Sequence, residues 1–138
     1  MVALTSVFDR VLNAVIDMAQ ATDPYADIVI GSLPADNGIS MTYTTGGVMS
    51  TDLKKGMSYE MAVTLNGKNS SQSAVLEALA AIHKALTRTK SYPRDSEYQI
   101  NDIATISAPV FLEREQNTNV QWLYGSSLRV RFYYFGGN

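Results

Sequence analysis

The sequence contains no cysteine, only one histidine and no long apolar run, and each absence excludes a class of protein. Without cysteine there is no disulfide, no thiolate nucleophile and no cysteine-ligated zinc or iron–sulfur site. Because His83 is the single histidine, one chain cannot supply a multi-histidine metal centre. No apolar run approaches the roughly 20 residues that span a bilayer. We therefore expect no cofactor, no metal and no membrane partner.

An excess of positive charge is also missing. Eleven lysine and arginine residues stand against thirteen acidic residues, so the formal net charge is −2. A dedicated nucleic-acid binder usually has a basic excess or a basic stripe, and this sequence has neither. Residues 1–9 lack the basic segment and apolar core of a secretory signal, so we expect the protein in the cytoplasm or in a particle assembled there.

What the sequence does contain is typical of one globular domain. The chain has 138 residues, of which 46% are hydrophobic and 17% charged. This composition excludes a disordered or collagen-like chain, and the length fits a single core without disulfides or a structural metal. We expect one domain spanning residues 1–138.

Two segments have the spacing of amphipathic helices. Phe8, Val11, Leu12 and Val15 predict a helix over residues 6–20. Additional apolar residues widen the apolar surface of this helix beyond one stripe. We therefore expect it to pack either against the sheet and another subunit or against two elements of its own fold. Apolar residues spaced three and four apart predict a second helix that ends near residue 89: Val75, Leu76, Leu79, Ile82 and Leu86.

Five further segments have the patterns of β-strands. Short or alternating apolar patterns over 27–30, 39–44, 58–65, 98–108 and 120–134 predict strands, the fourth with a bulge near Asn101–Asp102. Turn residues predict a loop over 45–57, a strand end at Asn66–Gly67, another at Ala108–Pro109, and a polar turn over 113–119. The order is α-β-β-β-α-β-β, an α+β domain with one antiparallel or mixed sheet and two helices.

No catalytic pattern is present. The sequence has no Gly-x-Ser-x-Gly nucleophile elbow and no phosphate-binding loop. His83 lies at the edge of the apolar face of the second helix, which is typical of a core or interface histidine. We expect no enzyme, and only a cleft that brings a carboxylate to His83 would reopen that question.

The last strand carries aromatic and basic residues on both faces. Arg129, Arg131, Tyr133 and Phe135 share one parity, while the even positions continue the core pattern. One interpretation is an RNA- or single-strand-binding module that stacks bases on these aromatics. The other is self-association, because a solitary domain would leave Leu123, Tyr133 and Phe135 in water. The pattern favours self-association.

Loose patterns of apolar and turn residues are distributed along nearly the whole chain. They are the helix with Phe8, the stretch Ala35-Asp36-Asn37-Gly38-Ile39-Ser40-Met41, Tyr59-Glu60-Met61, Asn66-Gly67-Lys68-Asn69, the helix from Val75 to Leu86, Tyr98-x-Ile100, Ala108-Pro109 with Leu112-Glu113, and the long closing strand. Taken together, these patterns resemble the minor capsid proteins of long-tailed bacteriophages, which belong with the tail terminators.

The resemblance implies a structural virion protein without catalytic residues. Tail terminators form a six-membered ring at the head-proximal end of the tail, which stops polymerisation of the tail tube and meets the connector or stopper on the head side. DNA passes through such a ring without specific binding. The expected interaction residues are Lys54 and Lys55 in the predicted loop, for tube or connector, and Leu123, Tyr133 and Phe135 for neighbouring subunits.

The alternating pattern around Val63 generates a first prediction. Val63→Asp places an unpaired charge in a core strand, so we expect the domain to unfold, with a loss of roughly 4 kcal/mol or more in the free energy of unfolding. Thermal melting followed by circular dichroism measures the change. The double variant Lys54→Glu/Lys55→Glu is the control, because charges in a loop leave folding intact; equal losses in both proteins would contradict the loop assignment.

Overall fold

A computed structural model describes residues 4–51, 57–116 and 120–135 of the chain. Its elements follow the predicted order and confirm the α+β class: α1 (Leu4–Gln20), β1 (Ile28–Ile30), β2 (Ile39–Thr51), β3 (Met57–Asn69), α2 (Gln72–Thr87), β4 (Tyr98–Gln116) and β5 (Val120–Tyr134). In these ranges no helix is long and apolar enough to cross a bilayer.

The five strands form one mixed sheet with the order β1-β2-β3-β5-β4. Only β1 and β2 pair in parallel, and every other pair is antiparallel. The C-terminal strand β5 therefore lies inside the sheet, while β4 and the three-residue β1 form its edges. The predicted bulge in β4 is confirmed by a register shift between Ile100 and Asp102, which lets both Ile100 and Ile103 point into the core.

Both helices pack on the same face of the sheet and make the core with it. The predicted apolar positions of α1, β3 and α2 are buried, apart from Leu76, which lies on the flank of α2 and is exposed. In α1, Phe8 contacts Tyr59 and Phe132 edge-on, at 5.5 Å and 5.2 Å between ring centroids. The broad apolar surface of α1 is covered by α2 and the sheet of the same chain.

The predicted strand end at Asn66–Gly67 is wrong, because β3 continues to Asn69 in unbroken register with β5. Gly67 lies directly under α2. A Cβ at this position would be 2.9 Å from Val75 Cγ2 and 3.3 Å from Leu79 Cδ2. The glycine therefore allows the helix to approach the strand closely, and it marks a packing contact instead of a turn.

The predicted loop over 45–57 is also too long. β2 extends to Thr51 and β3 begins at Met57, so the two strands pair well beyond the alternating segment. The register shifts between Thr45 and Val48, around Gly46–Gly47. Such an irregularity removes the strict period of two that identifies a strand in a sequence, which explains why the pattern disappears there.

β4 differs most from its prediction. It continues through Ala108–Pro109 to Gln116 and includes most of the expected polar turn. As an edge strand it tolerates Pro109, whose missing N–H removes only one ladder hydrogen bond. Three register shifts beyond Thr105 break the alternation, and most side chains in this half of the strand are exposed. The sequence pattern therefore disappears although the strand continues.

The contact under α2 predicts the effect of enlarging Gly67. Gly67→Ala forces Val75 and Leu79 to shift, and we expect a loss of about 1–3 kcal/mol in the free energy of unfolding. Urea denaturation measures it. Thr64→Ala, on the exposed face of the same strand, is the matched control and should change stability by less than about 0.5 kcal/mol. Equal effects of the two substitutions would contradict the packing role of Gly67.

Candidate interaction surface

The structure locates three of the five predicted interaction residues. Lys54 and Lys55 lie outside the described residues. Leu123, Tyr133 and Phe135 are half-buried and lie on or just after β5. Leu123 pairs with Lys68 on β3 and with Glu113 on β4, near one end of the sheet. Tyr133 and Phe135 lie at the other end, with ring centroids 5.3 Å apart in an edge-on arrangement. The two groups are therefore separated along the strand.

The arginines of β5 belong to a charge ladder on the face of the sheet that is opposite the helices. Arg131 donates from Nε to Glu60 Oε1 at 3.1 Å, and the same carboxylate lies 3.7 Å from Arg129 Nε. Arg129 Nη2 lies 3.6 Å from Asp102 on β4. Two positive charges thus face two carboxylates across three strands. The ladder neutralises its own charge.

This arrangement weakens the nucleic-acid interpretation of β5. A phosphate-binding platform needs arginines that are available to the backbone of the nucleic acid. Here both arginines are already close to carboxylates of neighbouring strands. The even-numbered aromatics Phe132 and Tyr134 are buried in the core, as the sequence predicts. Only Tyr133 and Phe135 remain on the open face, and they pack on each other.

His83 is buried between α2 and the sheet, and each of its ring nitrogens lies within hydrogen-bond distance of a hydroxyl group. Ser126 Oγ donates to the carbonyl of Leu65 at 3.0 Å and lies 2.8 Å from His83 Nε2. Because the serine proton is already used, Nε2–H donates to Ser126. Nδ1 then accepts from Thr105 Oγ1 at 2.8 Å. The ring is a neutral imidazole that joins α2 to β4 and β5, and burial lowers its pKa below the usual value.

This geometry does not make a catalytic site of His83. A general base of this kind needs an orienting group on one side and a nucleophile with a transferable proton on the other. Neither hydrogen-bond partner of the ring is a carboxylate, and Ser126 directs its proton away from the histidine. In the described ranges, no group of three or more acidic or histidine side chains could hold a metal ion.

Several large apolar side chains on the hairpin of β4 and β5 are exposed. Ile106 is 58% exposed, and three further β4 side chains, Val110, Phe111 and Leu112, are at least half exposed. Val120, which pairs with Gln116 of β4, is also exposed. We call these five residues the distal hairpin surface. Large apolar side chains that a folded domain leaves exposed in one region are typical of sites that bind another protein.

The distal hairpin surface is held in place by contacts on both faces of the sheet. On the helix side, Phe111 packs edge-on against Tyr124 at 5.8 Å, and Gln72 at the start of α2 donates to the Tyr124 hydroxyl at 2.6 Å. On the opposite face, the buried Lys68 forms an ion pair with Glu115 at 2.9 Å. The hairpin is therefore pre-organised, which reduces the entropy lost on binding.

Sequence reasoning missed this surface because it ended the fourth strand too early, at Ala108–Pro109. When the strand ends at Ala108–Pro109 and the turn begins at residue 113, the apolar residues 110–112 belong to no predicted helix or strand. The run Val110-Phe111-Leu112 was nevertheless a usable signal, since three consecutive large apolar residues beside an edge proline are unusual in a solvated turn.

The lowered pKa of His83 predicts how stability depends on pH. The unfolded chain takes up a proton near pH 6.5, whereas the folded protein resists it. The unfolded state thus binds more protons, so stability falls as pH drops below about 6.5 and continues to fall until the folded pKa is passed. We expect the melting temperature of the wild type to fall more steeply between pH 7 and 5 than that of His83→Gln. Parallel pH profiles would contradict this.

A chain of known structure shares this fold. It belongs to the virion of a native gene transfer agent particle, and the alignment covers 88% of the present chain and 92% of that chain with a TM-score of 0.54. The two sequences are 13% identical, so the likeness concerns the fold. No protein-family model matches the chain, and no curated protein matches its sequence.

Proposed function

We propose that the protein is a structural component of a phage-like virion, namely a tail terminator. The observation that carries the proposal is the fold shared, over nearly the full length of both chains, with a chain of a gene transfer agent virion. In this role, copies of the protein form a six-membered ring at the head-proximal end of the tail, after assembly in the cytoplasm of the bacterial host. The ring stops polymerisation of the tail tube and joins the tail to the connector or stopper of the head.

The apolar distal hairpin surface supports a role in assembly. A chain that works alone would expose several large apolar side chains on this hairpin with no compensating gain. In an assembled particle the same residues are buried against another protein and contribute to its stability. Leu123, Tyr133 and Phe135 on the open face of the sheet are further candidates for contacts between subunits.

The chemistry of the described polar groups supports a role without catalysis. His83 is neutral and satisfied by two hydroxyl groups. The arginines of the ladder face carboxylates, and the net charge of the chain is −2. A ring built from such subunits offers little attraction for phosphates, which suits a channel through which DNA passes without being bound.

The proposal is tested by adding the purified protein to polymerising tail-tube protein of the same particle. We expect shorter tubes with a ring at one end in negative-stain electron micrographs. Because Lys54 and Lys55 are the candidate contact to the tube, Lys54→Glu/Lys55→Glu should weaken tube binding about tenfold or more through charge repulsion. Its melting temperature should be that of the wild type.

A matched control carries the same change in net charge elsewhere on the surface. Lys84→Glu/Lys90→Glu alters exposed residues at the end of α2 and just after it, and it should cap tubes as the wild type does. A wild-type protein that neither binds tubes nor limits their length would overturn the tail-terminator role. Equal weakening by both double variants would instead overturn the specific role of Lys54 and Lys55.

A further inference from the structure

Exposed apolar side chains are concentrated at the two edges of the sheet. Seven large apolar residues are exposed among those whose side chains the structure describes. Five of them make up the distal hairpin surface, and a sixth, Ile30 in the opposite edge strand β1, is 59% exposed. Only Leu76 on α2 lies elsewhere. Two apolar edges on one domain are the arrangement expected of a protein that contacts neighbours on both sides.

The two edges lie at the same level of the sheet. In the strand register, Ile28 of β1 pairs with Ile39 of β2, and Ile39 pairs with Gly67 of β3. Gly67 pairs with Tyr124 of β5, and Tyr124 pairs with Phe111 of β4. β1 therefore occupies the same row as the apolar centre of the hairpin. A second copy placed beside the first, without a shift along the strands, brings these two apolar edges together.

The directions of the strands also fit. β1 runs parallel to β2, and three successive antiparallel pairings lead from β2 through β3 and β5 to β4. β1 and β4 are therefore antiparallel. A neighbour related by rotation about an axis along the strands presents its β1 antiparallel to β4 of the first copy. That is the more stable of the two strand arrangements.

The backbone of both edges limits how far such pairing can extend. β1 has only three residues, and β4 contains Pro109 and three register shifts in its distal half. Short strands, proline and bulges prevent the continuous ladder that leads to fibres. The apolar side chains remain exposed despite these features. The edges are thus suited to a contact made by side chains, with a limited number of partners.

We propose that the distal hairpin surface of one copy docks against the β1 edge of a second copy. The inference rests on the proposed function, because it names the contact by which subunits of the ring bind each other. The contact is head-to-tail: each copy uses β4 on one side and β1 on the other. Head-to-tail contacts form a closed ring when the rotation between neighbours closes, and Phe111 is the aromatic residue expected at the centre of the interface.

Two variants block the two edges separately. Ile106→Asp/Val110→Asp introduces charge on the hairpin, and Ile30→Asp introduces charge on β1; all three side chains are at least half exposed, so the fold should persist. Circular dichroism and thermal melting verify this. In analytical ultracentrifugation we expect each variant to associate with itself at least about 100-fold more weakly than the wild type. Leu76→Asp, an exposed apolar residue of α2, is the control and should assemble normally.

Mixing the two variants gives the decisive measurement. The hairpin variant retains β1 and the β1 variant retains its hairpin, so an equimolar mixture should form a 1:1 dimer that grows no further. The lysine versions, Ile106→Lys/Val110→Lys and Ile30→Lys, should give the same result, which separates loss of the contact from any effect of the introduced sign of charge.

Three results would overturn the inference. They are a mixture that remains monomeric, an Ile30→Asp variant that dimerises by itself through two hairpins, and a wild type that stays monomeric up to about 1 mM. None of these results depends on the tail tube. A wild-type protein that assembles through the two edges and yet fails to limit tube length would overturn the proposed function and leave the edge contact standing.

Discussion

The difference in rise between a helix and a strand determines which surfaces of this protein remain open. The 16 residues of α2 extend about 24 Å at 1.5 Å per residue, whereas the 19 residues of β4 extend about 60 Å. Two helices of this length cover one face of the sheet over part of its height. The core lies where they pack, and the distal half of β4 is left outside it. The surfaces available to partners follow from this mismatch.

Several small or polar residues hold the helices in place at that position. Gly67 allows α2 to approach β3, and Ser126 leaves room for the imidazole of His83 and accepts its hydrogen bond. A single histidine without a carboxylate partner is thus explained by packing. The sequence places His83 at the edge of the apolar face of its helix, and only the structure shows the two hydroxyl groups that bind it there.

The distal hairpin carries exposed apolar side chains and is held by contacts on both faces of the sheet. Lys68 and Glu115 pair across the sheet on one face, and Phe111 packs against Tyr124 on the other. Pro109 and the register shifts keep the strand from acting as an open template for other chains. An edge of this kind favours a defined partner over unlimited association, and this distinction separates a closed assembly from a fibre.

The sequence alone determined the elements that have one buried face. The 3.6-residue period of α1 and α2 and the alternation around Val63 identify the two helices, the strand β3 and their core residues. They also give the α+β order. An element that is buried on one side needs apolar residues at the period of its own backbone, so the pattern is present in the sequence. Only the tertiary structure decided the extent of β2 and β4, the role of Gly67 and the place of the exposed apolar residues. An edge strand that is bulged and solvated on both faces has no such period, and a glycine under a helix cannot be distinguished by sequence from a glycine in a turn.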